Sequence, residues 1–189
     1  MPQPRTHICA LIAVFFATTP ALAQNMAADN FADGGDGAKR HVASGFVCPA
    51  KIGSFERDAV GEADPLTGAD FCSYSVLDGV YGTIKLTPLR DGYDAKASMA
   101  SAFEELETTG GKKSAEATLK IGAEPLSVYT RTYHTAKLED LTYSVLFAGS
   151  AVKNWAVEAT IEFADPRDTP QEKAFLDAVY KSALTQIAK

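Results

Sequence analysis

The sequence predicts an α+β fold: a single antiparallel sheet of about six to eight strands with two main helices packed on it. Three observations lead there. Four strand-like runs precede the first helical segment and about four follow it, an order of successive strands that favours antiparallel pairing over βαβ units. Asp78-Gly79 joins the runs Asp70–Leu77 and Val80–Thr87, and a two-residue Asp-Gly connection favours a tight hairpin turn. Two segments, one central and one terminal, carry apolar residues at helical spacing.

In chain order, Met1 to Ala23 reads as a secretory signal peptide. Arg5 supplies the positive start, Ile8 to Ala17 an unbroken apolar run, and Ala21-Leu22-Ala23 a small-x-small cleavage site before Gln24. Ten apolar residues reach only about 15 Å as a helix, half of a bilayer core, so no membrane span is expected in the mature form. Cleavage removes Arg5 and Cys9, leaving 17 basic against 24 acidic side chains and a net charge of −7. It also leaves Cys48 and Cys72 as the two cysteines of an exported chain, and such a pair predicts one disulfide.

Residues 24–40 are polar and glycine-rich, too poor in apolar surface to order themselves, and read as a flexible leader ahead of a single α+β domain over 41–189. Within the domain, short strands are expected around Ser44–Cys48 and Ser54–Val60, then the Asp70–Thr87 hairpin. A helix follows over Asp94–Thr108, with Met99, Phe103 and Leu106 on one face and Gly110-Gly111 as its stop. Strands come next at Thr118–Ile121, Pro125–His134, Leu141–Ala148 and Asn154–Phe163. The last of these alternates, with Trp155, Val157, Ala159, Ile161 and Phe163 opposite Glu158, Thr160 and Glu162. In the closing helix, Thr169 as cap, Pro170 and Glu172 form a capping box, and Phe175, Leu176, Val179, Ala183, Leu184 and Ile187 form the buried stripe.

This order resembles the PsbP/Mog1-like α/β sandwich. The overlap runs from Phe103-Glu104-Glu105-Leu106 through Tyr129-Thr130-Arg131-Thr132-Tyr133 and Leu141 to Phe147, then the Trp155 strand and Phe175 to Ser182. The amino half, through Phe46-Val47-Cys48-Pro49 and Phe55-Glu56-Arg57, is similar to small uncharacterised periplasmic proteins. The resemblance implies a small exported accessory protein without enzymatic activity, and it supplies no functional residue.

The acidic balance excludes sequence-independent nucleic-acid binding, which needs a cationic footprint. No Gly-x-Ser-x-Gly elbow is present, Gly110-Gly111-Lys112-Lys113-Ser114 lacks the first glycine and the hydroxyl of a phosphate loop, and Gly34-Gly35-Asp36-Gly37 is no dinucleotide fingerprint. His41 and His134 belong to no metal-ligand spacing. No catalytic residue, cofactor site or metal site is therefore assigned. The one constellation of interest is on strands: Tyr129, Arg131 and Tyr133 share a face, as do Glu158 and Glu162. If the faces coincide, they form either a binding patch for an envelope protein or polar ligand, or a cross-strand ion pair beneath tyrosines. The expected function is that of a periplasmic or secreted accessory or binding protein acting through a sheet surface or edge. The alternatives are an envelope hydrolase assembled from scattered residues such as His134, and a carrier of a small apolar ligand.

Overall fold

The computed structural model describes residues 30–77, 79–123, 125–138, 141–164 and 167–187; the expected signal peptide and its Ala23/Gln24 cleavage site lie outside them. Along the chain come β1 (Phe31–Gly35), β2 (Ala38–His41), β3 (Val47–Cys48), β4 (Lys51–Ile52), β5 (Phe55–Asp64), β6 (Ala69–Val76) and β7 (Val80–Pro88). Then follow α1 (Ala95–Ser98), α2 (Ala100–Thr108), β8 (Lys112–Ile121), β9 (Leu126–Leu138), β10 (Leu141–Val152), β11 (Trp155–Ala164) and α3 (Thr169–Gln186). Eight strands form one sheet in the order β4-β5-β6-β7-β11-β10-β9-β8, antiparallel throughout. Two meanders, β4–β7 and β8–β11, thus meet where β7 pairs with β11.

The expectation of a single sheet with two main helices is corrected: β1, β2 and β3 form a second, three-stranded sheet, and the described residues contain three helices. The small sheet arises inside the stretch read as a leader. Asp36 and Gly37 both take positive φ, 49° and 73°, the two-residue turn that lets β1 and β2 fold back on each other. Phe31 at one end is buried, and this single aromatic anchors a segment whose average composition is polar. The central helix is divided because Met99 leaves helical geometry, with φ −98° and ψ 7°. Asp94 caps α1 by accepting from the Ala97 N–H at 2.8 Å, and Gly110 at φ 92° ends α2 while the Gly111 N–H returns to the Leu106 carbonyl.

Each face of the large sheet has its own core. On one, α3 packs Phe175, Leu176, Val179, Tyr180 and Ala183 against Tyr74, Ile84, Leu86, Val157, Ile161 and Phe163. Phe175 packs against Phe55 at a tilt, with ring centroids 4.6 Å apart, and meets Tyr74 edge-on at 5.8 Å, and it fits because position 82 is glycine: a Cβ there would stand 2.8 Å from the ring. On the other face, Met99 and Phe103 pack on Tyr133, Val145 and Phe147, and α1 approaches β10 over Gly149. The cap of α3 is Asp168, which accepts from the Gln171 N–H at 3.0 Å, rather than the expected Thr169; Glu172 turns instead to a two-pronged ion pair with Arg167. Cys48 and Cys72 are bonded, with Cα atoms 6.4 Å apart, and tie the small sheet to β6. No helix among the described residues is long and apolar enough to cross a membrane.

Candidate functional site

Alternation along β9 places Tyr129, Arg131 and Tyr133 on the side of α1 and α2, and α2 lies over them. Arg131 is only 9% exposed and its guanidinium stacks on the Phe103 ring at 4.2 Å. Its Nη1 donates to the Tyr133 hydroxyl at 3.0 Å and its Nη2 to Glu116 at 3.0 Å, directly opposite in register on β8. Arg131 Nε and the Tyr129 hydroxyl are buried with no hydrogen-bond partner among the described residues, so two of the three guanidinium nitrogens hold the cluster. The Tyr133 hydroxyl donates onward to Glu107 of α2 at 2.8 Å, and burial, followed by that carboxylate, pushes its pKa up. Glu116 also accepts from Lys96 of α1 at 2.8 Å and from Lys113 at 3.2 Å. Hydrogen bonds from these two lysines, with Arg131 adding to them, hold its carboxyl at about 2. The arrangement clips the helical pair onto the sheet.

The two other members of the expected patch lie elsewhere. β10 separates β9 from β11, so on that side Arg131 faces Phe147 and neither Glu158 nor Glu162, and its carboxylate partner comes from β8 instead. Glu158 is buried and pairs with Lys85 of β7 at 2.6 Å, while Ser98 and Tyr93 donate to it at 2.5 and 3.3 Å. Glu162 sits beside Tyr81 in register and reaches solvent, with its pKa raised by the burial of its surroundings. Arg131 and the two glutamates thus belong to three different neighbourhoods.

A second constellation was not legible from spacing. The His41 Nε2–H meets Asp70 Oδ2 at 2.8 Å, and His41 Nδ1 meets the Ser44 hydroxyl at 2.7 Å and the Ser44 N–H at 3.2 Å. These are the residue types of a hydrolytic triad. Here, however, the serine oxygen also accepts from the Phe46 N–H, the aspartate accepts from Asn30, and the imidazole lies between Phe31 and Trp155. Ser44 and His41 are each 1% exposed. The group satisfies buried polar atoms and anchors the small sheet. Asp70 is 29 residues from His41 and carries no local signal; only the pairing of the strands brings it near. His134 bonds the Ser144 hydroxyl at 2.7 Å, and no described hydrogen bond joins it to a carboxylate.

What remains open is half of one sheet face. Contacts of α1 and α2 extend to Glu158 on β11, and none of their described hydrogen bonds, ion pairs or ring contacts reaches β5, β6 or β7. On the same side, Phe71, Ser73 and Ser75 of β6 stand beside Lys85, Thr83 and Tyr81 of β7, followed by Thr160 and Glu162 of β11. Tyr81 is 54% exposed and the others are partly open. Lys85 is neutralised by Glu158, and Asp58 accepts from Ser75 at 2.8 Å, so the face is rich in hydroxyls and has a negative balance. At its end a cleft of about 590 Å³ opens between Asp64 and Thr67, Lys85, Arg90 to Asp94, and Ser98. Among the described residues no cluster of His, Cys, Asp and Glu is arranged to hold a metal ion.

No family model matches the chain, and no curated protein matches it.

Proposed function

We propose that the protein is an exported accessory protein without enzymatic activity, which binds a partner through the uncovered half of its sheet. The observation that carries this reading is the uneven cover of the helical side: α1 and α2 shield β8 to β10, while the Ser73, Ser75, Tyr81, Thr83 and Glu162 surface stays open. The groups that could do chemistry are engaged in the fold instead. The serine of the Ser44–His41–Asp70 set is sealed, and Arg131 is spent on holding α2. A broad, shallow, hydroxyl-lined face suits a macromolecular surface better than an enclosed small molecule. The negative balance of Asp58 and Glu162 favours a partner that presents basic or hydrogen-bond-donating side chains. The antiparallel sheet with helices on both sides supports the PsbP/Mog1-like reading, and the disulfide supports an oxidising compartment.

The test is capture from an extract of the cell envelope, comparing wild type with Tyr81→Arg. Tyr81 is exposed, so the variant should keep its thermal stability and lose the co-purifying partner. Equal recovery by both proteins would remove this face from the account.

A further inference from the structure

The two edges of the large sheet are treated differently. One ends in β4, two residues long, which covers only Phe55 and Glu56 of β5, and the rest of β5 is broken by bulges between Arg57 and Ala59 and between Glu62 and Asp64, which blunt it as a pairing edge. The other ends in β8, ten residues long and exposed from Lys112 to Lys120. A bulge between Lys113 and Ala115 disturbs its first third, and from Ala115 to Ile121 it runs in unbroken register with β9. Its outward backbone groups are therefore available along about seven residues.

Two further features surround this edge. Beside it, on the α3 side, a crevice of about 320 Å³ is lined by Leu119, Ile121, Leu146 and Leu176, with Leu119 38% exposed. The charged residues on the helix side of the crevice are already paired, Arg167 with Glu172 and Lys173 with Asp177. The edge is also cationic within an acidic protein. Lys112 makes no described ion pair, Lys120 bonds only the Ser127 hydroxyl among the described residues, and Glu116, the one carboxylate of the strand, is occupied by Lys96, Lys113 and Arg131.

We propose that β8 receives an extended acidic segment of a partner protein as a ninth strand. One apolar side chain of that segment enters the crevice between β8 and α3, and the carboxylates on its opposite face meet Lys120 on the α1–α2 side, while Lys112, on the α3 side beyond the bulge, adds to the positive field of the edge. Main-chain pairing would supply affinity, the crevice would select one side chain, and the lysines would set sign and direction. Lysines on an edge also discourage self-pairing, because two copies of β8 would bring like charges together. That selects against a second copy while leaving an acidic strand welcome.

The probe is a nine-residue synthetic peptide of alternating valine and glutamate, titrated against the full chain by fluorescence anisotropy. Saturable binding is expected. It should weaken at least tenfold when lysine replaces glutamate in the peptide, when alternate peptide amides are N-methylated, and in the Lys112→Glu/Lys120→Glu protein. Hydrogen exchange should slow at the β8 amides and not at β4. Lack of saturable binding, or binding indifferent to peptide charge and amide methylation, would overturn the proposal. So would a concentration-dependent dimer by sedimentation that protects β8 without peptide, because the occupant would then be a second copy.

Discussion

Arg131 shows how one side chain can look like a ligand-binding group and serve as a structural one. An exposed arginine between tyrosines would add little to the fold, since surface ion pairs contribute at most about 1 kcal/mol. Under Phe103, with hydrogen bonds to Tyr133 and Glu116, it does more. Arg131→Ala should destabilise the protein by about 2–4 kcal/mol, because the buried Tyr133 hydroxyl and Glu116 lose the cation that pairs with them and a void opens under Phe103. Urea unfolding measures this, and a loss below about 1 kcal/mol would mean that α2 is held by apolar contacts alone. Glu116 gives a pH dependence of definite sign. Its carboxyl is lowered from the ordinary 4.5 to about 2 by the Lys96 and Lys113 hydrogen bonds, with Arg131 adding to them. The unfolded chain takes up that proton near 4.5, so the contribution of Glu116 is complete above 4.5 and is lost as the pH falls toward 2. In Glu116→Gln, the fall in urea midpoint between pH 5 and pH 3 should be shallower than in wild type. An identical slope would show that the clip does not respond to charge. The chemistry at this scale was only partly legible: the alternation of Tyr129, Arg131 and Tyr133 followed from strand period. Their carboxylate partner did not, because Glu116 lies on an edge strand whose pairing is decided by topology.

At the scale of elements, the fit of α3 on the sheet turns on Gly82. Alanine there would bring a methyl group to 2.8 Å of the buried Phe175 ring, which is wedged between Phe55 and Tyr74 and has nowhere to move. Gly82→Ala should therefore destabilise by about 1–3 kcal/mol, measured by thermal or urea unfolding. A neutral result would mean that the helix slides freely. The Cys48–Cys72 bond acts between elements too. A loop of 24 residues corresponds to about 3.5 kcal/mol in the chain-entropy account. Reduction should speed hydrogen exchange first in residues 38–48, while β9 to β11 stay protected. Uniform loss of protection would show that the small sheet is not a separable unit. Most strands were legible because their apolar runs are long, and so was the terminal helix. The β1–β2 hairpin was missed although Asp36-Gly37 carries the same turn chemistry as Asp78-Gly79. The flanking residues are polar, and only Phe31, Ala38 and His41 turn inward.

For the whole molecule, the order of elements was enough to predict an antiparallel sheet with helices on it, and not enough to say which strand area the helices cover. That depends on the meeting of β7 with β11, a pairing between residues some 75 positions apart, which no local pattern reveals. Because of it, α1 and α2 shade β8 to β10 and leave β5 to β7 bare. The claim that this bare area is the working surface is tested most directly by photo-crosslinking in the cells that make the protein. p-Benzoylphenylalanine would replace exposed Tyr81 in one protein and exposed Thr185, on the far side of the molecule along α3, in another. The account predicts one discrete adduct from position 81 and none from position 185. Adducts of equal yield from both positions, or none from position 81, would contradict it.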